Sequence, residues 1–471
     1  MLNDKLVTLT VIMGMFLWSF SAGIVNISLP TIAQFLDINI ATVSWIIIIH
    51  LMSLIGLILF FGRLADYLGH KTIFVWGVLI FTLFSYLCGL SQDINTLLMY
   101  RLLQGVGSAM LLSVSPAIIS MTSSPKKQGR AFGYLSLATT LGLSGGYLVG
   151  GLITENLSWN WIFFANVPIG IIVLIMARSY LNNLPHESHK KGFDIVGVVI
   201  SFLFYLSLIL TLETIGNPRV PLTYTGFGII LSLVIILIFI KWESYHPNPL
   251  IDLKVFSNPH LSLAMATGLL TTLILTGTIV LIPFYLELVK SYSSYFSGLI
   301  VFSSSLLVLF ISPIAGWLSD NVGAKIVNAI GALLLVGSMA LLTLMNNATG
   351  LVFILIALAV RALSDGVSNP ANSKMVISHS SPDKLNTISS LLNTARYFGL
   401  VLGVVIFQSI FKITISNNAV NIEAPAQGAL EMTLPVGTLL HGFQAAFILG
   451  IVLSIIVIIF IIIGRENISY D

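Results

Sequence analysis

Windows of about 20 apolar residues recur along nearly the whole of this 471-residue chain, each long enough to cross roughly 30 Å of hydrocarbon as a helix. Charged residues make up 8% of the chain, against about a quarter in ordinary soluble domains. Apolar residues make up 56%, and mean hydropathy is +1.00. Such a chain cannot hide its apolar surface in one water-soluble core. Barrel strands would alternate over about ten residues, a pattern absent here, so the spans are expected to be helices. The sequence predicts an all-α polytopic membrane protein with fourteen spans, at 8–31, 42–61, 73–91, 96–121, 131–153, 160–181, 195–213, 224–242, 261–286, 295–317, 327–345, 351–375, 389–411 and 442–463. The first run is longer than a secretory apolar segment and is read as a retained span.

Several function classes fall away on composition. A net charge of +3 is small and dispersed, and no basic cluster carries interleaved aromatics, so nucleic acid is not an expected partner. Cys88 is alone, which excludes an intrachain disulfide and leaves no partner for a metal cluster. No Gly-x-x-x-x-Gly-Lys-Ser/Thr loop occurs, so an ion gradient rather than nucleotide hydrolysis is the expected driving force. No nucleophile and base pair lies in the spans, and no enzyme activity, cofactor or metal is expected. The expected partners are a small-molecule substrate, protons and the lipid bilayer, with the chain acting as a monomer.

Lysines and arginines set the orientation. With the amino terminus inside, fifteen fall on inner segments (Lys5, Arg63, Lys71, Lys126, Lys127, Arg130, Arg178, Lys190, Lys191, Lys241, Lys254, Lys325, Lys374, Lys384 and Arg465) and three on outer ones (Arg219, Lys290 and Lys412). Both termini are therefore expected on the cytoplasmic side of a plasma membrane.

A charged decapeptide organises the order of the spans. Gly62-Arg63-Leu64-Ala65-Asp66-Tyr67-Leu68-Gly69-His70-Lys71 returns 254 residues later as Gly316-Trp317-Leu318-Ser319-Asp320-Asn321-Val322-Gly323-Ala324-Lys325, with Gly, Leu, Asp, Gly and Lys at shared offsets. Five identities in ten at the ends of the second and tenth spans read as an internal duplication of a six-helix unit. The expected organisation is an N-terminal bundle over 1–181, linkers and two inserted helices over 182–259, and a C-terminal bundle over 260–471. The polar stretches from Asn182 to Asp194 and from Glu243 to Pro259 read as hydrated linkers, and the outer loop from Lys412 to His441 as a mobile cap.

Duplicated six-helix halves with Gly-x-Leu-x-Asp-x-x-Gly-x-Lys after the second span resemble the major facilitator superfamily of secondary transporters. The inserted pair resembles its fourteen-span drug:proton antiporter family, of the multidrug efflux type associated with antibiotic resistance in bacteria. The stretches Ile24-Val25-Asn26-Ile27-Ser28-Leu29-Pro30, Trp159 to Gly170, Phe193-Asp194-Ile195-Val196-Gly197 and Asn248 to Phe256 look like that family too. The resemblance implies a proton-coupled exporter of amphipathic or cationic drug-like compounds, working by alternating access about a midplane site. A transporter of one defined metabolite, such as an amino acid, peptide or lipid-related solute, is the second expectation.

The family reading makes the decapeptides a gate, through Gly62, Arg63, Asp66, Gly69 and Lys71 and through Gly316, Asp320, Gly323 and Lys325; the other reading is a charge cluster that only fixes topology. Gly142, Gly146 and Gly150 recur every four residues on the fifth span, followed by Gly151, and predict close helix packing. The family has proline where this chain has Tyr147. Gly399 and Gly403 repeat the pattern more weakly on the thirteenth span.

Arg101-x-x-Gln104-Gly-x-Gly on the fourth span matches a family segment, which implies that Arg101 faces the central cavity and takes part in proton coupling; a snorkelled structural arginine is the alternative. On the twelfth span Arg361 and Asp365 are four apart and share a face, so they can pair. Asp365 is the first candidate for a proton carrier, because burial and a neighbouring cation act on a carboxylate's proton affinity in opposite senses. The alternative is a permanently ionised pair that only orders the helix. Family members usually carry Asp where this chain has Ser21, which cannot carry a proton near neutral pH; His50, which titrates in the useful range, can substitute as a proton site or contact substrate, and a neutral hydrogen-bonded core histidine is the alternative. Asn26, Asn393 and Arg396 either line a cavity or bond between helices.

Overall fold

The computed structural model describes residues 2–122, 128–181, 194–215, 220–247, 249–251, 253–379, 385–418 and 434–464. In chain order the helices are α1 (Leu2–Leu36), α2 (Ile40–Leu68), α3 (His70–Leu90), α4 (Ile94–Thr122), α5 (Gln128–Asn156), α6 (Trp161–Phe164), α7 (Asn166–Tyr180), α8 (Ile195–Thr214), α9 (Leu222–Tyr245), α10 (Pro259–Phe284), α11 (Ser294–Val322), α12 (Ala324–Thr343), α13 (Leu351–Ser378), α14 (Leu385–Asn418) and α15 (Val436–Ile463). Fourteen segments are long and apolar enough to cross a membrane, with α6 and α7 together forming one of them, and the described residues contain no strand. The sixth span breaks at Ala165: Pro168 has no N–H to donate to the Phe164 carbonyl, and Asn166 Nδ2 donates to the Ile162 carbonyl at 3.2 Å. α10 runs on through a π-helical turn at Tyr285–Val289.

Helices overshoot the apolar windows at several ends, because a helix continues into the headgroup region wherever polar residues with no breaker follow. α14 reaches Asn418 and α15 begins at Val436, so the outer segment expected from Lys412 to His441 is helical at both ends, and its remaining residues 419–433 lie outside the described residues. Residues 182–193, with His186 to Lys191, lie outside them too. Where the flanking stretches are described they are not simply hydrated: Asp194 and Glu243 are each 3% exposed.

The chain forms two compact units, Met1–Leu206 with Ile235–Leu250 and Ser293–Phe302, and Ser207–Val234 with Ile251–Tyr292 and Ser303–Asp471, with boundaries inside α8, α9 and α11 and in the segments that precede α10 and α11. Glycine sets the helix spacing within each. In the first unit α1 crosses α5 at Gly23 and Gly146, where a Cβ on Gly146 would lie 2.5 Å from the Phe20 carbonyl oxygen. Gly142 and Gly150 are pressed against α1 in the same way, and Gly151 against Ser294 and Tyr295. In the second unit α10 crosses α14 at Gly277 and Gly403, and Gly399 abuts the Leu269 carbonyl. Gly23 and Gly277 are 254 residues apart, the same offset as the decapeptides. Lipid tails give helices no hydrophobic reason to associate, so close backbone approach at small residues carries the association.

The duplication also appears in the backbone. Gly69 (φ 88°) and Gly323 (φ 105°), the eighth residues of the two decapeptides, are the glycines with positive φ among the described residues. With ψ near 139° and 136° they occupy a region open to glycine alone, so α2 stops and α3 starts in one residue, and α11 and α12 do the same. Gly69→Ala and Gly323→Ala are each expected to lower stability by about 1–3 kcal/mol. Thermal unfolding in detergent checks this against Gly316→Ala, whose added Cβ would meet open space. Equal shifts for all three would contradict it.

Candidate functional site

In the first unit, polar groups converge where α2, α3 and α4 meet. Arg101 Nε donates to the Ile46 carbonyl at 3.0 Å, its Nη1 donates to Gln104 Oε1, and Gln104 Nε2 donates to Ser85 Oγ at 2.5 Å. Ser108 Oγ and His50 Nε2 are 3.1 Å apart, while His50 Nδ1 is buried without a hydrogen-bond partner among the described residues. Small residues allow this: Gly105 lets α4 lie against the His50 carbonyl of α2. Arg101 is 3% exposed, with its guanidinium 6.0 Å from the centre of the Phe163 ring. It therefore lies inside the helix packing, solvated by a carbonyl, an amide and an aromatic face, and not on an open cavity surface as the sequence suggested. Asn26 on α1 is 6% exposed, with its Oδ1 unpartnered among the described residues, and Ser21 Oγ one turn earlier is in the same state.

The second unit carries a longer polar feature. Arg361, Asp365, Asn369 and Ser373 follow one another at four-residue intervals on α13, a single stripe about 18 Å long at 1.5 Å per residue. Asn369 Nδ2 donates to Asp365 Oδ1 at 2.6 Å, and Ser373 Oγ donates to the Asn369 carbonyl at 2.8 Å. Arg396 of α14 crosses the stripe, its Nη2 donating to the Asn369 carbonyl at 3.1 Å and to Ser373 Oγ at 3.0 Å. Arg361 Nη2 reaches α10, where it donates to the Leu275 carbonyl at 2.6 Å. The direct partner of the Asp365 carboxylate is thus Asn369, and the guanidiniums of Arg361 and Arg396 act on it through space. Pro370 interrupts the backbone hydrogen bonding of α13 beside this cluster.

Arg361 is buried, Asp365 is half-buried and Asn369 is exposed, so the stripe opens outward at its middle. Behind it Asn372 is 2% exposed with both amide atoms unpartnered among the described residues. Asn393, one turn before Arg396 on α14, is half-buried. Sequence reasoning singled out Arg361, Asp365, Asn393 and Arg396 but missed Asn369, Asn372 and Ser373. The four-residue spacing running on from Arg361 was the signal that could have found two of them.

The two decapeptides are held differently. Asp320 Oδ1 accepts from Lys374 Nζ at 2.7 Å, and the same ammonium donates to the Ser319 carbonyl at 2.8 Å, tying α11 to α13. Lys325 Nζ caps α15 through the Ile462 and Gly464 carbonyls at 2.9 and 2.6 Å. In the first copy Arg63 Nη2 donates to the Pro249 carbonyl at 3.3 Å, and Asp66 forms no hydrogen bond or ion pair with the described residues. The residue at the Lys374 offset in the first half is Ser120, which cannot form that ion pair.

Ionisable side chains in the middle of apolar spans are costly to hold and persist where an ion or solute must pass, which marks these two units as parts of a polytopic membrane transporter. Residues 11–404 match the family described as the Major Facilitator Superfamily, and the chain belongs to that superfamily. It is 29% identical over 418 residues to the riboflavin transporter RibZ of Clostridioides difficile (strain 630), covering 88% of this chain and 90% of the relative. It is 27% identical over 313 residues to the multidrug export protein EmrB of Escherichia coli (strain K12), covering 66% and 61%. The multidrug transporter protein MdtP of Bacillus subtilis (strain 168) is 25% identical over 407 residues, covering 86% and 75%. Among solved structures, a bacterial homolog of the human lysosomal transporter Spinster superposes with TM-score 0.70 at 14% identity, covering 98% of this chain and 97% of that one. The human organic anion transporter MFSD10 superposes with TM-score 0.65 at 13% identity, covering 97% and 99%. Both likenesses concern the fold.

Proposed function

We propose that the chain exports amphipathic or cationic drug-like compounds by alternating access, against an inward flow of protons that load and leave at Asp365. The observation that carries this is the α13 stripe: one midspan carboxylate, bonded to Asn369 and flanked by Arg361 and Arg396, with its middle open. A polar stripe facing hydrocarbon would be costly, so its open side is the side that water and solute reach. An organic cation and a proton then compete for one negative charge, which is the requirement for exchange. Arg361, held by the Leu275 carbonyl, and Arg396, held by α13, are positioned to stabilise the ionised state once cargo has gone. Arg101, Gln104 and His50 form a supporting polar core in the first unit, where Asn26 adds a further polar lining group. The decapeptides gate, with Asp320 and Lys374 latched to each other and Asp66 available for a partner in another access state. The lysine and arginine distribution supports both termini on the cytoplasmic side of a bacterial plasma membrane, with the protein working as a monomer.

A second reading is transport of one defined metabolite. It is favoured by the likeness to the riboflavin transporter RibZ and by Ser21 and Tyr147, which stand where the antiporter pattern has an acid and a proline. Vesicles with an imposed pH gradient, offered lipophilic cations and riboflavin separately, decide between the two. Uptake of the cations with counter-movement of protons supports the export reading, uptake of riboflavin alone supports the second, and movement of neither contradicts the export reading and removes riboflavin as the defined metabolite.

A further inference from the structure

The inserted helices carry a feature that the transport reading does not use. At the end of α9, Ile238, Lys241, Trp242, Tyr245, His246 and Pro247 line a groove of about 350 Å³. Its floor is fixed: Trp242 Nε1 donates to both oxygens of Asp194 at 2.9 and 3.0 Å, the Gly197 N–H donates to Asp194 Oδ1 at 2.8 Å, and His246 Nδ1 lies 3.5 Å from Oδ2. The Trp242 and His246 rings stack with centroids 5.7 Å apart. The Asp194 charge is thereby absorbed beneath the groove, and what the groove presents is aromatic surface and a cation. Lys241 is exposed and has no partner among the described residues, Tyr245 is 82% exposed, and Arg63 adds a second cation beside the adjoining Pro249 carbonyl.

Position narrows the occupant. The α9 span ends at Tyr245, so the groove sits where hydrocarbon gives way to headgroups, the depth that tryptophan and tyrosine favour. α9 is also the least enclosed span, with 11% of its most apolar window buried, and Ile230, Leu233, Leu237 and Ile238 present a continuous exposed apolar surface leading to the groove. A ligand matching both parts has an acyl chain for that surface and a negative group for Lys241. We propose that the groove seats the headgroup of an anionic phospholipid, its phosphate on Lys241 and its acyl chain along α9.

The test uses the full chain in phosphatidylcholine vesicles containing a minor fraction of brominated lipid, with tryptophan quenching as the readout. Brominated phosphatidylglycerol is expected to quench Trp242 in preference to brominated phosphatidylcholine by about fivefold in relative affinity, the size expected for one lysine at a membrane surface. The Trp242 share of the signal is the difference between the parent and Trp242→Phe. The preference should vanish in Lys241→Gln and return in Lys241→Arg. Because Trp242 also holds Asp194, Trp242→Phe can fail to fold; native mass spectrometry of lipid retained by the parent and by Lys241→Gln, an exposed substitution, then gives the same comparison. Equal quenching by the two lipids would reduce the groove to ordinary lipid contact and overturn the proposal. So would a preference unchanged in Lys241→Gln, or one abolished by inorganic phosphate at constant ionic strength, which would indicate a site for free phosphate.

Discussion

Asp365→Asn is expected to reduce transport driven by a pH gradient to background while leaving the protein in the membrane at its normal level. Asparagine keeps the shape of the side chain and an oxygen that can accept from Asn369, so the α13 stripe should hold its geometry. What the substitution removes is the ability to exchange a proton. Loss of membrane-inserted protein would indicate a structural role for the acid, in which its charge orders Arg361 and Arg396. Unchanged transport would remove Asp365 from the mechanism. Transport as a function of solute in intact cells, normalised to protein in the membrane, distinguishes the three outcomes.

The second large effect is one of packing. Gly146→Ala places a methyl 2.5 Å from the Phe20 carbonyl oxygen and 2.8 Å from the Ile24 amide nitrogen, both of them backbone atoms of α1. No rotamer can relieve that overlap, so α1 and α5 must separate along their length. The cost should exceed the about 1–3 kcal/mol of ordinary overpacking, in which side chains can move aside. Gly145, the preceding residue, has nothing within 4 Å of its ideal Cβ. Gly145→Ala should be neutral or slightly stabilising, since alanine favours a helix by about 1 kcal/mol over glycine. Thermal unfolding of the two neighbours in detergent should therefore show a large fall for Gly146→Ala and no change or a small rise for Gly145→Ala. Equal shifts would mean that backbone proximity does not set the α1–α5 contact.

How much of this was legible in the sequence depends on whether each feature is local. A membrane span is decided by the composition of about 20 consecutive residues, so all fourteen could be placed in advance. Gly69 and Gly323 were legible because the chain repeats them and because a backbone open to glycine alone leaves no other choice. The surroundings of Arg101 were not. Its partners are the Ile46 carbonyl and Ser85 by way of Gln104, and a main-chain oxygen on another helix leaves no trace in a sequence pattern. The pairing of Asp320 with Lys374 joins residues 54 apart, and nothing marked Lys374 among the other basic residues near span ends. Asn369 and Ser373 are ordinary polar residues one at a time; only their register with Arg361 and Asp365 gives them meaning. The spacing left Arg361 able to pair with Asp365, and the structure sends its Nη2 to the Leu275 carbonyl because α10 passes within reach, a fact of tertiary packing.

The central claim is that Asp365 links solute movement to proton movement, and solute exchange measured beside gradient-driven uptake in the same vesicles tests it most directly. With equal solute on both sides and no pH gradient, an alternating-access carrier exchanges labelled for unlabelled solute without net proton movement. Asp365→Asn vesicles should show no response to an imposed pH gradient, and exchange of a cationic solute should weaken as well, because the charge that solute and proton share is gone. If the variant accumulates solute on a pH gradient as the parent does, with the same number of protons moved per solute, the coupling site lies elsewhere in the chain.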